Sequence, residues 1–422
     1  MRPPDSTAPR GLLTDRRLWL MGLLGVASGL PLPLSGFTFR LWLAKGGVSL
    51  ALIGLTANAG LAYSLKFLWA PVLDRLRAPG FGWLGRRRGW LVPIQLALAL
   101  AAFGLAAARP AVAPLAAIGI AALVAFLSAS QDIVIDAWRI ETFPPRAQGA
   151  ALAAYVWGYR IALLIAGAGV IAGSARIGWH AALGVVAGLL ALSPLVTLAL
   201  PEPPAPAARP RAQGLAAAVL VPLSDLLARP GALTILGFVM LFKLGEAMAG
   251  VMTAPFFAHL GFDRAAIAVA NGPLSLACAF AGTAAGGWLV ARAGVGRALL
   301  ATGWVQTLTM GMYLLLAVSA GKVHILAATV GVEAFAEGMA DAAFLTYLSG
   351  LCAPGYAATQ YALLSSLAAI GLRTVGGVSG FLAEALGWVP FYALTMFAAL
   401  PAMALMLRLL RRYPPAERAV AG

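Results

Sequence analysis

Two carboxylates, Asp132 and Asp136, lie one helical turn apart in Ser130-Gln131-Asp132-Ile133-Val134-Ile135-Asp136-Ala137-Trp138. They follow about twenty almost wholly apolar residues, a run of membrane-spanning length. An ionisable group at that depth costs roughly 2.5 to 3.5 kcal/mol on insertion scales, so it is usually kept for handling ions or solutes. Further acids stand inside apolar runs at Glu246, Glu333, Glu337, Asp341 and Glu384, with cations at Lys66, Arg160, Lys243 and Arg373. Glu333, Glu337 and Asp341 are spaced by four, as Asp132 and Asp136 are, so each set forms an acidic stripe on one helix face. Like charges one turn apart resist joint ionisation and burial adds to this, which is the condition for taking up a proton near neutral pH. Asp132, Asp136, Glu333, Glu337 and Asp341 are therefore the candidates for proton coupling. The same groups could equally form static ion pairs, for example Asp132 or Asp136 with Arg160, or Lys243 with Glu246 three residues on. Asp136, together with Arg139 and Glu141, could instead belong to a network at the helix end.

These groups need long apolar elements to hold them. Of the 422 residues, 61% are hydrophobic and only 11% charged, against about 25% charged in soluble proteins. The chain reads as a multi-pass membrane protein. Runs able to cross a core of about 30 Å fall near 17–40, 49–72, 89–108, 112–138, 149–173, 178–200, 232–257, 266–291, 298–319, 323–350, 358–384 and 388–408. Pro31 and Pro33 interrupt the first run and no small-residue cleavage site precedes the second, so it reads as a retained helix and not a signal peptide. Fold class is thus all-α, with twelve transmembrane helices.

The net charge of +15 does not point to nucleic acid, because the basic residues alternate between loops. Of 30 Lys and Arg, 20 flank the spans on the side of both termini, including Arg16, Arg17, Arg75, Arg86, Arg87, Arg88, Arg139, Arg229, Arg292, Arg297, Arg411 and Arg412. Six lie on the other side: Arg40, Lys45, Arg109, Arg176, Arg264 and Lys322. By the positive-inside rule both termini are cytoplasmic. Cys278 and Cys352 show no metal-ligand spacing, and no His cluster or nucleophile motif points to an enzyme, a metal or a cofactor.

The most polar interruption, 201–230, begins Pro201-Glu202-Pro203-Pro204-Ala205-Pro206 and reads as a solvated cytoplasmic linker. It divides the chain into an N-terminal six-helix half, 1–200, and a C-terminal half with a basic tail, 231–422. Weak internal similarity supports the division: Gln148 leads to Gly158-Tyr159-Arg160 as Gln360 leads to Gly371-Leu372-Arg373. Asp74-Arg75 with Gly85-Arg86-Arg87-Arg88 has an echo in Arg292 with Gly296-Arg297. That loop resembles the cytoplasmic signature of the major facilitator superfamily, with Ala70 in place of the leading Gly and Leu76 to Leu84 inserted. Asp74, Arg75, Arg86 and Arg87 are accordingly expected to form a cytoplasmic gate. The resemblance implies parallel six-span repeats with a binding cavity between them.

A more specific likeness runs along the whole chain. Ser128-Ala129-Ser130-Gln131-Asp132-Ile133-Val134-Ile135-Asp136-Ala137-Trp138 resembles the signature of the AmpG-type muropeptide permeases, a branch of that superfamily. Similar too are Ala27-Ser28-Gly29-Leu30-Pro31-Leu32, Lys66-Phe67-Leu68-Trp69-Ala70-Pro71, Gly158-Tyr159-Arg160, Lys243-Leu244-Gly245-Glu246 and Ala358-Thr359-Gln360-Tyr361-Ala362-Leu363-Leu364-Ser365. The resemblance implies proton-driven import, across the bacterial inner membrane, of N-acetylglucosaminyl-1,6-anhydro-N-acetylmuramic acid with or without its peptide. In some bacteria such fragments signal β-lactamase induction. It also implies substrate-binding roles for Lys66, Gln131, Arg160, Lys243, Glu246 and Gln360, cations meeting carboxylates and glutamines meeting amides and hydroxyls. Trp138, Trp157 and Tyr159 are candidates to stack on sugar rings or to anchor at the interface. A monomer in the lipid bilayer is expected, with no cofactor and no nucleic acid. Glu337 and Asp341 depart from the family pattern, and family members often continue into two further C-terminal spans. A related transporter of another solute, of the siderophore or acetyl-coenzyme A type, is the alternative.

Overall fold

The computed structural model describes residues 15–143, 147–203, 224–319, 321–351 and 357–412, and among these every regular element is helical. Ten segments are long and apolar enough to cross a membrane, and Leu50–Leu65 is a shorter apolar helix. Ala150–Leu198 has 49 residues, about 74 Å if straight and more than twice a bilayer core. It turns at Gly178, whose φ of 81° and ψ of 163° are open to glycine without strain. Along the long helices Leu100, Leu233 and Val318 stand largely exposed. In water such surfaces invite association, whereas acyl chains solvate them.

The chain forms two compact units. The first comprises Met1–Phe39, Lys66–Arg109 and Leu115–Pro206, and the second Arg40–Leu65, Pro110–Pro114 and Ala207–Gly422. Residues 40–65 therefore pack within the second unit, although the sequence assigns them to the N-terminal half. The continuous second span expected over 49–72 is a succession of short helices, Leu50–Leu55, Thr56–Gly60, Leu61–Leu65 and Lys66–Leu68. The cause is close contact with the helix Ala357–Leu386: the backbone at Leu50 abuts Gly380, and Glu384 Oε2 accepts the Ala51 N–H at 3.1 Å. Gly60 leaves the room that the Arg373 guanidinium fills.

In the first unit, glycine decides which helices can touch. A Cβ at Gly25 would lie 2.1 Å from the Tyr155 carbonyl oxygen, and one at Gly158 would lie 1.9 Å from that of Gly22. The helices Arg16–Gly29 and Gln148–Leu163 thus meet backbone to backbone, the small-residue packing that lets membrane helices approach. Gly158→Ala is expected to force them apart and destabilise the fold by more than the about 1 kcal/mol that alanine gains in a helix. Gly184→Ala, where nothing lies within 4 Å, is the control. Thermal unfolding in detergent checks the pair: a lower midpoint for the first variant only is expected.

The same device recurs in the second unit, where Gly282 and Gly286 receive the Phe335 and Met339 carbonyls and Gly338 receives that of Ala279. It fixes Ser275–Ala293 against Val323–Gly350, the helix that carries Glu333, Glu337 and Asp341.

Candidate functional site

Among the described residues, each unit holds a cluster of polar groups around acids that stand inside its apolar helices. In the first, the glycine-mediated approach brings Ser28 and Tyr155 together, Oγ to OH at 2.7 Å. Ser28 Oγ donates to Asp132 Oδ1 from the helix Pro114–Thr142. One hydroxyl thereby links a carboxylate to a phenol across three helices. Lys66, in the tight turn Lys66–Leu68, and Asp136 are near enough for their charges to act on Asp132. Beside them Gln131, wholly buried, donates its amide to the Ala27 carbonyl at 3.1 Å. That bond ties two helices together, a positioning role. Trp69 Nε1 donates to Ser130 Oγ at 3.0 Å.

Asp136 differs from Asp132. Its side chain is 44% exposed and faces Arg139 at 3.4 Å, as in the reading that assigns it to the helix end. The helix Gln148–Leu163 carries Arg160 in its last turn, directly before a π-helical turn over Leu164–Gly169, a feature frequent at functional sites. Trp138 is no sugar platform: it is wholly buried, edge-on to Phe143, and its Nε1 donates to the Pro201 carbonyl at 2.9 Å. Trp157 is mostly exposed.

At the start of the helix Arg87–Ala107, Arg87 forms a fork on Glu141, Nε to Oε2 at 2.9 Å and Nη2 to Oε1 at 2.6 Å. Arg86 Nη2 adds a bond to the same carboxylate at 2.8 Å. Glu202 takes the Arg87 and Arg88 backbone N–H groups at 2.7 and 3.3 Å, an anion on a helix N-terminus. Gly85, at φ 110°, leaves the space that the Glu202 carboxyl occupies. The expected gate residues Arg86 and Arg87 are thus together, with Glu141 and Glu202 as their partners. The side chains of Asp74 and Arg75 lie outside the described residues.

In the second unit, the apolar run 232–257 breaks at Lys243, whose backbone is non-helical between Ala232–Leu241 and Leu244–His259. Its Nζ lies 2.6 Å from Asp341 Oδ1 and 3.0 Å from Glu246. Gln306 Nε2 donates to Glu246 Oε2, and Tyr313 OH to Glu333 Oε2. Thr253 Oγ1 is 3.3 Å from the Tyr313 hydroxyl, and the Tyr313 and Tyr392 rings stack at 4.6 Å. Glu337 stands between, near enough for its charge to act on Glu246, Lys243, Asp341 and Glu333. Three carboxylates, Glu246, Glu337 and Asp341, act on one lysine, while Glu333 holds Tyr313.

Gln360 is elsewhere. Its Nε2 donates to Asp225 Oδ2 at 2.7 Å, and its Oε1 accepts from Arg229 Nη2 at 3.2 Å. Arg229 also pairs with Asp225 at 2.7 Å and donates to the Leu351 carbonyl. These bonds from Arg229 and Gln360 hold the Asp225 carboxyl below its ordinary range. Gln360 lies 13 residues before Arg373 on one helix, about 20 Å along its axis, and level with the linker, not with Lys243. Both ends of the stretch 201–230 are therefore bonded to their own unit, at Glu202 and at Asp225. Residues 204–223 lie outside those described.

Ser28, Tyr155, Gln306, Tyr313 and Thr253 carried no signal of their own in the sequence. Neutral hydroxyls and amides are common in membrane helices, and what distinguishes these is the acid that Ser28, Gln306 and Tyr313 touch directly and that Tyr155 and Thr253 reach through a second hydroxyl.

Carboxylates and a lysine stand together on multi-pass apolar helices, which is the residue pattern of a membrane transporter. A model of the Major Facilitator Superfamily matches residues 22–372. The anhydromuropeptide permease of Escherichia coli (strain K12) is 38% identical over 387 residues, 91% of this chain and 78% of that one. A Rickettsia conorii relative bearing the name AmpG 4 is 32% identical over 94% of this chain and 97% of its own. The solved nucleoside transporter NupG superposes with a TM-score of 0.71 at 16% identity, covering 92% of this chain and 98% of that one. A bacterial homologue of the lysosomal transporter Spinster, inward-facing and occupied, gives 0.68 at 15% identity over 95% and 96%. The chain belongs to the Major Facilitator Superfamily and, within it, to the AmpG-type muropeptide permeases.

Proposed function

We propose that this protein imports peptidoglycan turnover products, N-acetylglucosaminyl-1,6-anhydro-N-acetylmuramic acid with or without peptide, across the bacterial inner membrane. Transport is coupled to protons and proceeds by alternating access of twelve spans in two six-helix halves, with both termini cytoplasmic. The observation that carries the reading is the 38% identity to an anhydromuropeptide permease over 91% of the chain. Counting the two sides of the break at Gly178 separately and adding the short helix Leu50–Leu65 to the ten long segments supports the twelve-span reading.

Asp132 in one unit and Glu333, Glu337 and Asp341 in the other are the proposed proton carriers. Supporting this, the acids of the second cluster outnumber its lysine, and joint ionisation away from water is costly. Asp136, half in solvent beside Arg139, serves the cytoplasmic end. Lys66, Arg160 and Lys243 are the proposed anchors for solute carboxylates, with Glu246 orienting Lys243. Gln131 holds a helix contact, and Gln360 joins the linker to the second unit. Asp74, Arg75, Arg86 and Arg87 form the proposed cytoplasmic gate.

The test is uptake of the radiolabelled disaccharide into proteoliposomes. Accumulation under an inward proton gradient, with only equilibration without one, is expected. Absence of uptake by folded protein removes the substrate assignment and turns attention to other solutes.

A further inference from the structure

We propose that Asp341 is a specificity-determining residue for the acidic group of the solute: it occupies Lys243 when no solute is bound and is exchanged there for a solute carboxylate. The inference rests on the permease reading above, and it adds an exchange step that the reading does not contain.

It follows from how unequally the two partners of Lys243 are held. Glu246 lies three residues further along the chain, in the first turn of the helix that follows Lys243, and is 18% exposed. Its Oε2 also accepts the Gln306 amide from the helix Val295–Thr309. Moving Glu246 would break two interactions and disturb two helices. Asp341 comes from Val323–Gly350 and is 42% exposed. Its one ion pair or hydrogen bond among the described residues is the 2.6 Å contact with Lys243. It is the loose partner.

Its surroundings also favour release. Glu337, one turn before Asp341 on the same helix face, acts on Asp341 with like charge, and Glu333 lies a further turn back. A lysine ammonium has three donors. An incoming carboxylate that takes the position of Asp341 leaves the Glu246 pair intact, so Lys243 keeps two anionic partners throughout. The exchange replaces one charge-assisted bond with another of the same kind. Affinity is then a difference between the solute carboxylate and Asp341. A solute with a neutral group at that place meets a lysine already engaged and gains nothing from it. Asp341 thus sets how strongly a carboxylate is preferred over its amide.

Binding to purified protein by titration calorimetry tests this with two probes, the anhydro-disaccharide with its free lactyl carboxylate and the corresponding carboxamide. In Asp341→Asn the competitor loses its charge. The ratio of carboxylate to carboxamide affinity is expected to rise about ten-fold over wild type, the scale of one hydrogen bond to a charged group. A ratio that is unchanged or falls overturns the proposal, a fall meaning that Asp341 helps to hold solute. A second arm needs no solute. The exchangeable partner contributes less to the fold than the fixed one, so Glu246→Gln is expected to lower the unfolding midpoint further than Asp341→Asn. The reverse order makes Asp341 a structural ion pair and overturns the proposal. If wild type binds neither probe, the disaccharide assignment fails while the second arm still decides the roles of Asp341 and Glu246.

Discussion

Asp132→Asn is expected to abolish gradient-driven accumulation while sparing facilitated equilibration of the solute. Asparagine has nearly the shape of aspartate and keeps an oxygen for the Ser28 hydroxyl, so the Ser28 and Tyr155 arrangement survives. It can neither gain nor lose the proton that an aspartate exchanges. A potential of 100 mV supplies about 2.3 kcal/mol per charge, or roughly fifty-fold accumulation for each coupled proton. The wild type should approach such a ratio, and the variant should settle near unity. Counterflow of labelled solute against an internal unlabelled pool measures equilibration without a gradient. Full accumulation by the variant would move the coupling site to the second unit, and loss of counterflow would show that Asp132 binds solute or holds the fold.

Glu141→Gln should be the most destabilising single change in the cluster at the start of the helix Arg87–Ala107. Arg87 is only 1% exposed and takes two bonds from its head group to Glu141, which also serves Arg86. Removing that charge takes from both guanidiniums the carboxylate they share, a loss of about 3 kcal/mol or more. The pair Arg88 and Glu202, 3.4 Å apart and more exposed, is the comparison: Arg88→Gln should cost within about 1 kcal/mol. Replacing both members, Arg87→Met with Glu141→Leu, should restore much of the stability, because the desolvation of both charges disappears together. Unfolding midpoints in one detergent test all three. If the double variant is as unstable as Glu141→Gln, the cluster contributes through something other than its buried charge.

The glycine contacts, the two polar clusters and the fastened linker form one physical argument. Where backbone meets backbone at Gly25 and Gly158, the helices are near enough for one hydroxyl to reach both an acid and a phenol. Where Lys243 interrupts its helix, its side chain reaches carboxylates from two directions. Charge in these helices is tolerated because each cluster supplies its partners internally.

The amino-acid sequence by itself determined the class, since apolar runs with few charges have one stable environment and the order of spans follows from their length. It also determined most of the charged residues of the sites, because an acid or lysine within such a run is conspicuous whatever its surroundings. Spacing by four placed Glu333, Glu337 and Asp341 on one stripe, and spacing by three paired Lys243 with Glu246. Tertiary structure alone decided which partner each group has. Asp132 and Asp136, both candidates for proton coupling in the sequence, part company because one meets Ser28 and the other is more exposed beside Arg139. Gln360 bonds Asp225 and Arg229 and does not join the cluster at Lys243, because the far end of the linker returns to it. Residues 40–65 join the second unit because Gly380 and Glu384 receive them, contacts made across more than 300 residues of chain. A helical period records which face a residue occupies, and it contains nothing about the neighbour that the face will meet.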